Sequence, residues 1–402
     1  MSRSSTFHTP VHQRIIEHSA SPLVHGSIRG PVSFLNPTRA VFGGRPAADD
    51  ANKEGVVPAA DDVRVEWRAR DNRKGRHILI VPRNHTKDDL PRVTSSAAAI
   101  AKGIWRMLTV YAWWDVSWWI AVLFTFGSAI FVISGFFYWL PLAAPSTDFH
   151  DESSIGGGVT AFIGATLFTV GGVLLIIEAA NENQTACFGW AVEQTFTHHD
   201  KASVAENQPG QVLRAEPGPC EHHHASGVHP TSQPHLQHPD AGRNWEWFPT
   251  WHEMKTHYAR EIGFWASMTE ALGAIIFYIS GIMTLPGIIN NISTPVLWGT
   301  YWLAYLVGGI LFVLASLLYM LETQPSWWKP APRLIGWWIG AWNLVGSVGW
   351  TMSAAFGYCT AHWCEYQSDL SLLWASIAFL VGSVLLWYEA LDKHPVVRAK
   401  SA

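Results

Sequence analysis

Long apolar runs, broken by polar connections, fill much of the chain from residue 118 onward, and the residues before it have none. Six stretches, roughly 118–140, 159–177, 264–285, 296–321, 334–356 and 370–391, are nearly free of charge. Each is about 20 residues long, the length a helix needs to cross a bilayer. They show almost no polar face, which a helix on the surface of a soluble bundle would keep for water. Trp and Tyr gather at their ends, at the level of lipid headgroups. The pattern predicts an all-α, polytopic membrane protein with six transmembrane helices in contact with the lipid bilayer.

The runs also repeat. In the odd-numbered helices Trp119, Gly127, Phe131 and Ser134 have the same spacing as Trp265, Gly273, Phe277 and Ser280, and as Trp338, Gly346, Trp350 and Ser353. At about 100° per residue each set forms one face. A second face carries small residues that let helices approach closely: Ser128 and Gly135, Ala274 and Gly281, Ser347 and Ala354. In the even-numbered helices Glu178, Glu322 and Glu389 close the apolar run, and Gly171, Ala315 and Gly382 lie two turns earlier on the same face. Two helices per unit give successive units the same orientation. The expectation is three parallel two-helix repeats, unlike the inverted repeats of many secondary transporters.

Charge sets the orientation. Of 27 Lys and Arg, 17 precede residue 118, and none lies in the connections 141–158, 286–295 or 357–369. Positive charge is retained in cytosolic loops, so both termini are expected in the cytosol; which membrane is involved is not encoded. The first residues lack an apolar core, so no cleaved signal peptide is indicated and the first transmembrane helix is expected to direct insertion. The three glutamates then sit at helix C-termini, where the dipole disfavours a carboxylate. Arg260 and Arg333, each five residues before a repeated Trp, are the expected ion-pair partners of Glu322 and Glu389. The first repeat has Trp114 at that place, which leaves Glu178 to a Lys or Arg of the preceding surface segment.

Outside the repeats (115–180, 259–323 and 331–393) the chain divides into a cytosolic arm, 1–92, an interfacial helix, 94–114, a His-rich cytosolic loop, 181–258, and a tail, 394–402. The arm is rich in Ser, Pro, Gly and Ala and is expected to be largely disordered, with a β-hairpin at 62–82 where "DVRVEW" and "RHILIV" flank a polar turn. The interfacial segment sets Ala, Ile, Leu and Trp beside Lys102 and Arg106, the composition of a helix lying on a membrane surface.

Candidate chemistry is sparse. Glu270 is the one acidic residue well inside a predicted helix, and Asn343 holds the matching place in the third repeat. An intramembrane carboxylate is a functional suspect: it serves a transporter as a proton or cation site, or it forms a buried hydrogen bond to Asn343. His222, His223 and His224 beside Cys220 are metal donors whose spacing matches no closed site, so a solvated linker is the preferred reading there. Cys359 and Cys364 share a non-cytosolic loop and can form a disulfide. Asn291 opens the glycosylation acceptor "NIS". A net charge of −4 gives no support for nucleic-acid binding. No nucleophile motif, phosphate-cradling loop or cofactor site is evident, so neither an enzyme nor a cofactor is indicated.

The phrases "FTFGSAIFVISGFFYWLP", "TAFIGATLFTVGGVLLIIEAANEN", "CFGWAVE", "MLETQPSWWKP", "LIGWWIGAWNLVGSVGW" and "FLVGSVLLWYEALDK" resemble a family of uncharacterised multi-pass integral membrane proteins of filamentous fungi, over about residues 105–395. Each helix pair also resembles the small two-helix unit named the YrhK-like domain. The resemblance implies an integral membrane protein of a fungus and brings no activity, substrate or catalytic residue. Two function classes follow: a membrane scaffold or sensor that displays its arm and loop to cytosolic protein partners, or alternatively a transporter or channel for a cation or small solute.

Overall fold

The computed structural model describes residues 27–42, 64–81, 93–189, 191–192 and 245–399. Its elements in chain order are β1 (Arg39–Phe42), β2 (Arg64–Arg68), α1 (Ala69–Arg73), β3 (Ile78–Val81), α2 (Ala97–Thr109), α3 (Val116–Ala143), α4 (Gly158–Ala180), α5 (Trp251–Thr256), α6 (Ile262–Met283), α7 (Leu303–Thr323), α8 (Ile335–Phe356), α9 (His362–Leu391) and β4 (Val396–Arg398). π-helical turns, Glu152–Gly157 and Leu297–Trp302, lead into α4 and α7.

Five helical segments, Val116–Ala143, Glu152–Ala180, Ile262–Met283, Thr294–Thr323 and His362–Leu391, are long and apolar enough to cross a membrane. They mark the chain as a membrane protein. The sixth expected span, α8, is a helix of 22 residues. Its Trp, Gly, Ser and Asn content leaves its mean hydropathy below that of the other five.

The long helices form a closed ring. Each packs against the next in the sequence α3, α4, α6, α7, α8, α9, and α9 closes onto α3. Outward-facing positions are apolar, among them Phe126 on α3, Val170 on α4, Leu272 on α6, Leu314 on α7, Val348 on α8 and Ile377 on α9, all exposed. A ring this apolar on its outside needs lipid rather than water around it.

Inside, each helix contributes one aromatic ring to the axis: Phe131, Phe168, Phe277, Phe312, Trp350 and Phe379, all buried. Phe131, Phe277 and Trp350 meet one another at centroid distances of 4.9 to 5.9 Å, and Trp350 lies 4.4 Å from Phe379. These six rings fill the bundle at mid-height.

Glycines make the seating possible. A Cβ added at Gly127 would come within 2.8 Å of the Phe168 ring, at Gly273 within 3.1 Å of Phe312, and at Gly346 within 2.5 Å of Phe379. The second small-residue face lies against the neighbouring pair: Ser128 meets Ser383 and Ser347 meets Ser316, each with 3.3 Å between hydroxyls, while Gly281 packs on Ala165. Trp119, Trp265 and Trp338 donate their indole N–H to the carbonyls of Trp113, Ala259 and Pro332, six residues back in each case. The glycine–ring and indole–carbonyl contacts therefore recur three times around the ring.

At one end sits a four-stranded sheet in the order β1-β2-β3-β4, which corrects the all-α expectation outside the bundle. The expected hairpin forms, with Val65 opposite Leu79. Residues 27–42 of the arm join it: β1 pairs antiparallel with β2, and Arg29 bridges Arg39; the rest of the stretch expected to be disordered lies outside the described residues. The tail adds β4, parallel to β3, so segments near both termini meet in one sheet at one end of the ring. The opposite, loop end carries the connections 144–157, 284–296 and 357–361. There Cys359 and Cys364 form a disulfide with 5.8 Å between Cα atoms, and Asn291 is exposed, as a glycosylation acceptor must be. Helix α2 presents Ile100, Ile104, Trp105 and Leu108 outward, the apolar face expected of an interfacial helix.

Gly346→Ala forces a methyl into the Phe379 ring and is expected to cost about 1 to 3 kcal/mol, read as a lower thermal transition of the detergent-purified protein. Gly299→Ala, where nothing lies within 4 Å of the added carbon, should leave that transition in place.

Candidate functional site

The polar turn of the hairpin, "ARDNRKGR", descends from the sheet into the mouth of the ring. Its short helix α1 holds Arg70, Asp71 and Arg73, which are buried together with Lys74 and Arg76. Gly75 reverses the chain with φ of +60°, against Thr185, a backbone conformation costly for other residues.

The three repeated glutamates converge on this turn. Arg70 donates to both oxygens of Glu389 at 3.1 and 2.8 Å, and Arg76 adds a contact at 3.2 Å. Arg73 donates to both oxygens of Glu322 at 2.5 and 2.9 Å. Lys74 reaches Glu178 at 3.2 and 3.3 Å, and the Ser117 hydroxyl donates to the same carboxylate at 2.5 Å. The fork-to-fork geometry of the two arginines is the strong form of carboxylate recognition.

Arg260 and Arg333 are exposed, so the expected pairing of these residues with Glu322 and Glu389 is incorrect. Lys102 and Arg106 of the surface helix do not serve Glu178 either. A position on a helix rim, at the lipid boundary, cannot reach carboxylates that face the axis. The space for the true partners is carved into the odd-numbered helices two residues before each repeated Trp. An added Cβ at Gly263 would overlap the Arg73 guanidinium, and one at Gly336 would lie 2.5 Å from Arg70 Nε. The equivalent Ser117 instead supplies a hydroxyl, opposite the slimmer lysine.

Further ion pairs bind the sheet to this core. Lys393 donates to the Lys74 carbonyl and pairs with Asp115, both at 2.7 Å; Arg76 pairs with Asp71 at 2.5 Å and donates to the Asp392 carbonyl at 2.7 Å. Burial lowers the Lys74 ammonium below its ordinary range despite the opposing pull of Glu178. Burial also works against charge on Arg70 and Arg73, and Glu389 and Glu322 outweigh it, holding both guanidiniums above their ordinary value. Both lie 5.8 Å from the centre of the Tyr319 ring, whose hydroxyl meets Ser267 at 3.0 Å.

Between this cluster and the aromatic rings lies a small cavity of about 30 Å³, lined by Glu270, Asn343, Tyr319, Phe124, Phe168 and Phe379 among others. That is room for roughly one water. Glu270 and Asn343 thus share a chamber, as their matching places imply, yet the expected hydrogen bond between them is absent: Asn343 Oδ1 is buried with no partner. It lies against Gly382, whose added Cβ would come within 2.4 Å of it.

His222, His223, His224 and Cys220 lie outside the described residues. Among the described residues, Glu182, His257 and Glu261 bring potential metal donor atoms within 4.8 Å of one another. Glu182 accepts from Asn72 of the inserted turn at 3.1 Å. Burial and then Glu261 push the Glu182 carboxyl up to about 8, so a metal would have to displace a proton there.

No protein-family profile matches the chain, and neither a curated protein nor a solved structure matches it.

Arg73→Met leaves Glu322 buried without its partner and should cost about 3 to 5 kcal/mol, seen as loss of monodisperse protein; adding Glu322→Leu should restore much of it. Glu389→Gln is expected to lower abundance in the same direction. Because the folded Glu182 carboxyl has a raised pKa, its contribution is complete below the ordinary carboxylate range and is lost as pH rises through about 8. Hydrogen exchange of residues 181–185 should accelerate across that window, and Glu182→Gln should flatten the response.

Proposed function

We propose that this protein is a membrane-embedded sensor or scaffold whose six helices all span the bilayer as three parallel helix pairs, with both termini in the cytosol. The alternative, a transporter or channel, has less support. The observation that carries this reading is the filled axis. Six aromatic rings close the middle of the bundle, and the ion-paired turn of residues 69–76 closes the sheet end. An ion crossing here would have to displace both.

The ring geometry supports α8 as a span, since it lies between α7 and α9 and turns Trp338, Val345, Val348 and Met352 outward. Placement of the sheet end in the cytosol rests on the concentration of Lys and Arg there and agrees with the Cys359–Cys364 disulfide at the other end. The resemblance to multi-pass fungal membrane proteins agrees with this reading and adds no activity to it. No catalytic role is proposed. The sheet joins the arm and the tail, and its inserted turn touches a glutamate of every helix pair, so any change in how the pairs pack would be felt where cytosolic protein partners could read it.

Liposomes carrying the purified protein, tested with protons, K⁺, Zn²⁺ and Cu²⁺, should show no flux above protein-free liposomes. A protein-dependent flux abolished by Glu270→Gln would establish transport and overturn the proposal.

A further inference from the structure

At the loop end the ring opens into a chamber of about 440 Å³, within the range of small-molecule sites. Its wall contains Tyr138, Tyr301, Trp302 and Tyr305, with Asp369 and Glu365 as its charged groups. Among the described residues no Lys, Arg or His contributes to the wall, and the three connections at this end contain no Lys or Arg. The field in the chamber is therefore negative.

A second observation is independent of the acids. Tyr305 is 4% exposed, and among the described residues no close hydrogen bond satisfies its hydroxyl, which has only the Ser353 side chain in looser reach, although it lines the chamber. A buried hydroxyl left unmatched costs free energy that a ligand would recover. Its ring is held between Phe277, 5.0 Å away, and Trp302, stacked at 6.3 Å.

We infer that this chamber is a binding site for a small organic cation, an amine or quaternary ammonium that enters from the loop end. The volume is far larger than a bare metal ion needs. Aromatic faces next to a carboxylate suit an ammonium group carried on an apolar body. Asp369, half-buried and next in the chain to Ser368, whose hydroxyl meets that of Ser353, is the counter-charge; Glu365 at the exposed mouth attracts the cation, and the Tyr305 hydroxyl supplies a polar contact. The Cys359–Cys364 disulfide fixes the rim, since Cys359 itself lines the chamber. The inference gives the sensor reading its ligand class and rests on that reading for its biological meaning.

The test is calorimetric titration of the full-length protein in lipid nanodiscs with benzylammonium and tetraethylammonium, and with benzyl alcohol as the neutral match. Saturable binding of at least one cation is expected, with benzyl alcohol binding at least about tenfold more weakly. Asp369→Asn should weaken the cation by about tenfold or more while leaving the thermal transition without ligand in place, and Tyr305→Phe should weaken it less. Equal binding of the alcohol, unchanged binding in Asp369→Asn, or no binding of either cation at millimolar concentration would overturn the inference. Should Asp369→Asn unfold, protection of Cys359 from reductant and alkylation by benzylammonium in the unaltered protein decides the same question, and absence of protection counts against the site. Binding accompanied by uptake of benzylammonium into liposomes would keep the site and remove the sensor reading; absent binding with absent flux would remove the site and leave that reading standing.

Discussion

Three carboxylates buried at helix ends around one axis are the constraint on which this architecture depends. Glu178, Glu322 and Glu389 face inward, where neither water nor lipid headgroups can neutralise them, and each lies at a helix C-terminus whose dipole opposes it. Cations must come to them along the axis. The turn of residues 69–76 brings Arg70, Arg73, Lys74 and Arg76 within a single short excursion, and Gly263, Gly336 and Ser117 provide three differently shaped seats. Buried ion pairs contribute little net stability compared with apolar packing, because the desolvation of both partners offsets their attraction. Their worth here lies in registration: two guanidiniums fit beside glycines and the lysine fits beside the serine, so the turn has one orientation that satisfies all three glutamates.

From that registration the rest of the sheet end follows. With α1 fixed on the axis, β2 and β3 must emerge above the ring. Pairing of β3 with β4 then ties the tail to the arm, and Lys393 and Arg76 lock that pairing to the same charged core. The aromatic layer below is held mainly by shape: the five phenylalanine rings lie against glycines of neighbouring helices, and Trp350 donates its indole N–H to Ser376 at 3.2 Å.

The bundle was largely legible in the sequence because its signals are local and repeated. Apolar length identified the helices, and identical spacing identified the face on which Gly127, Gly273 and Gly346 accept a phenyl ring. What could not be read was partnership across long sequence distances. Arg260 and Arg333 sit just before their helices and are exposed, while the true partners lie some 100 to 320 residues from their glutamates in a stretch that reads as an ordinary polar hairpin turn. Two signals pointed to it. Five of the nine residues 68–76 are basic, an excess for a tight turn, and a small residue, Ser117, Gly263 or Gly336, stands two places before each repeated Trp. Phe168, Phe312 and Phe379, each ten residues before a repeated glutamate, are not legible in the same way, because an aromatic residue in an apolar helix carries no distinguishing mark.

The two polar ends of the axis are separated by rings in continuous contact. Tyr305 at the chamber touches Phe277, Phe277 stacks on Trp350 at 4.9 Å, and Trp350 meets Phe379, which borders the cavity shared with Arg70, Arg73 and Glu270. Contiguity supplies a route and is not itself coupling, which needs an element with two discrete arrangements. Close-packed rings change arrangement only where there is space to move into. That space lies beside Asn343, whose Oδ1 has no partner, and beneath Phe379 and Phe168. A ligand that repositions Tyr305 would press on the rings from one side, and the small cavity offers them space to yield toward the ion-paired turn. On the proposed sensor reading, the aromatic layer is therefore the element that would have to rearrange, and the charged turn the place where the change would be felt.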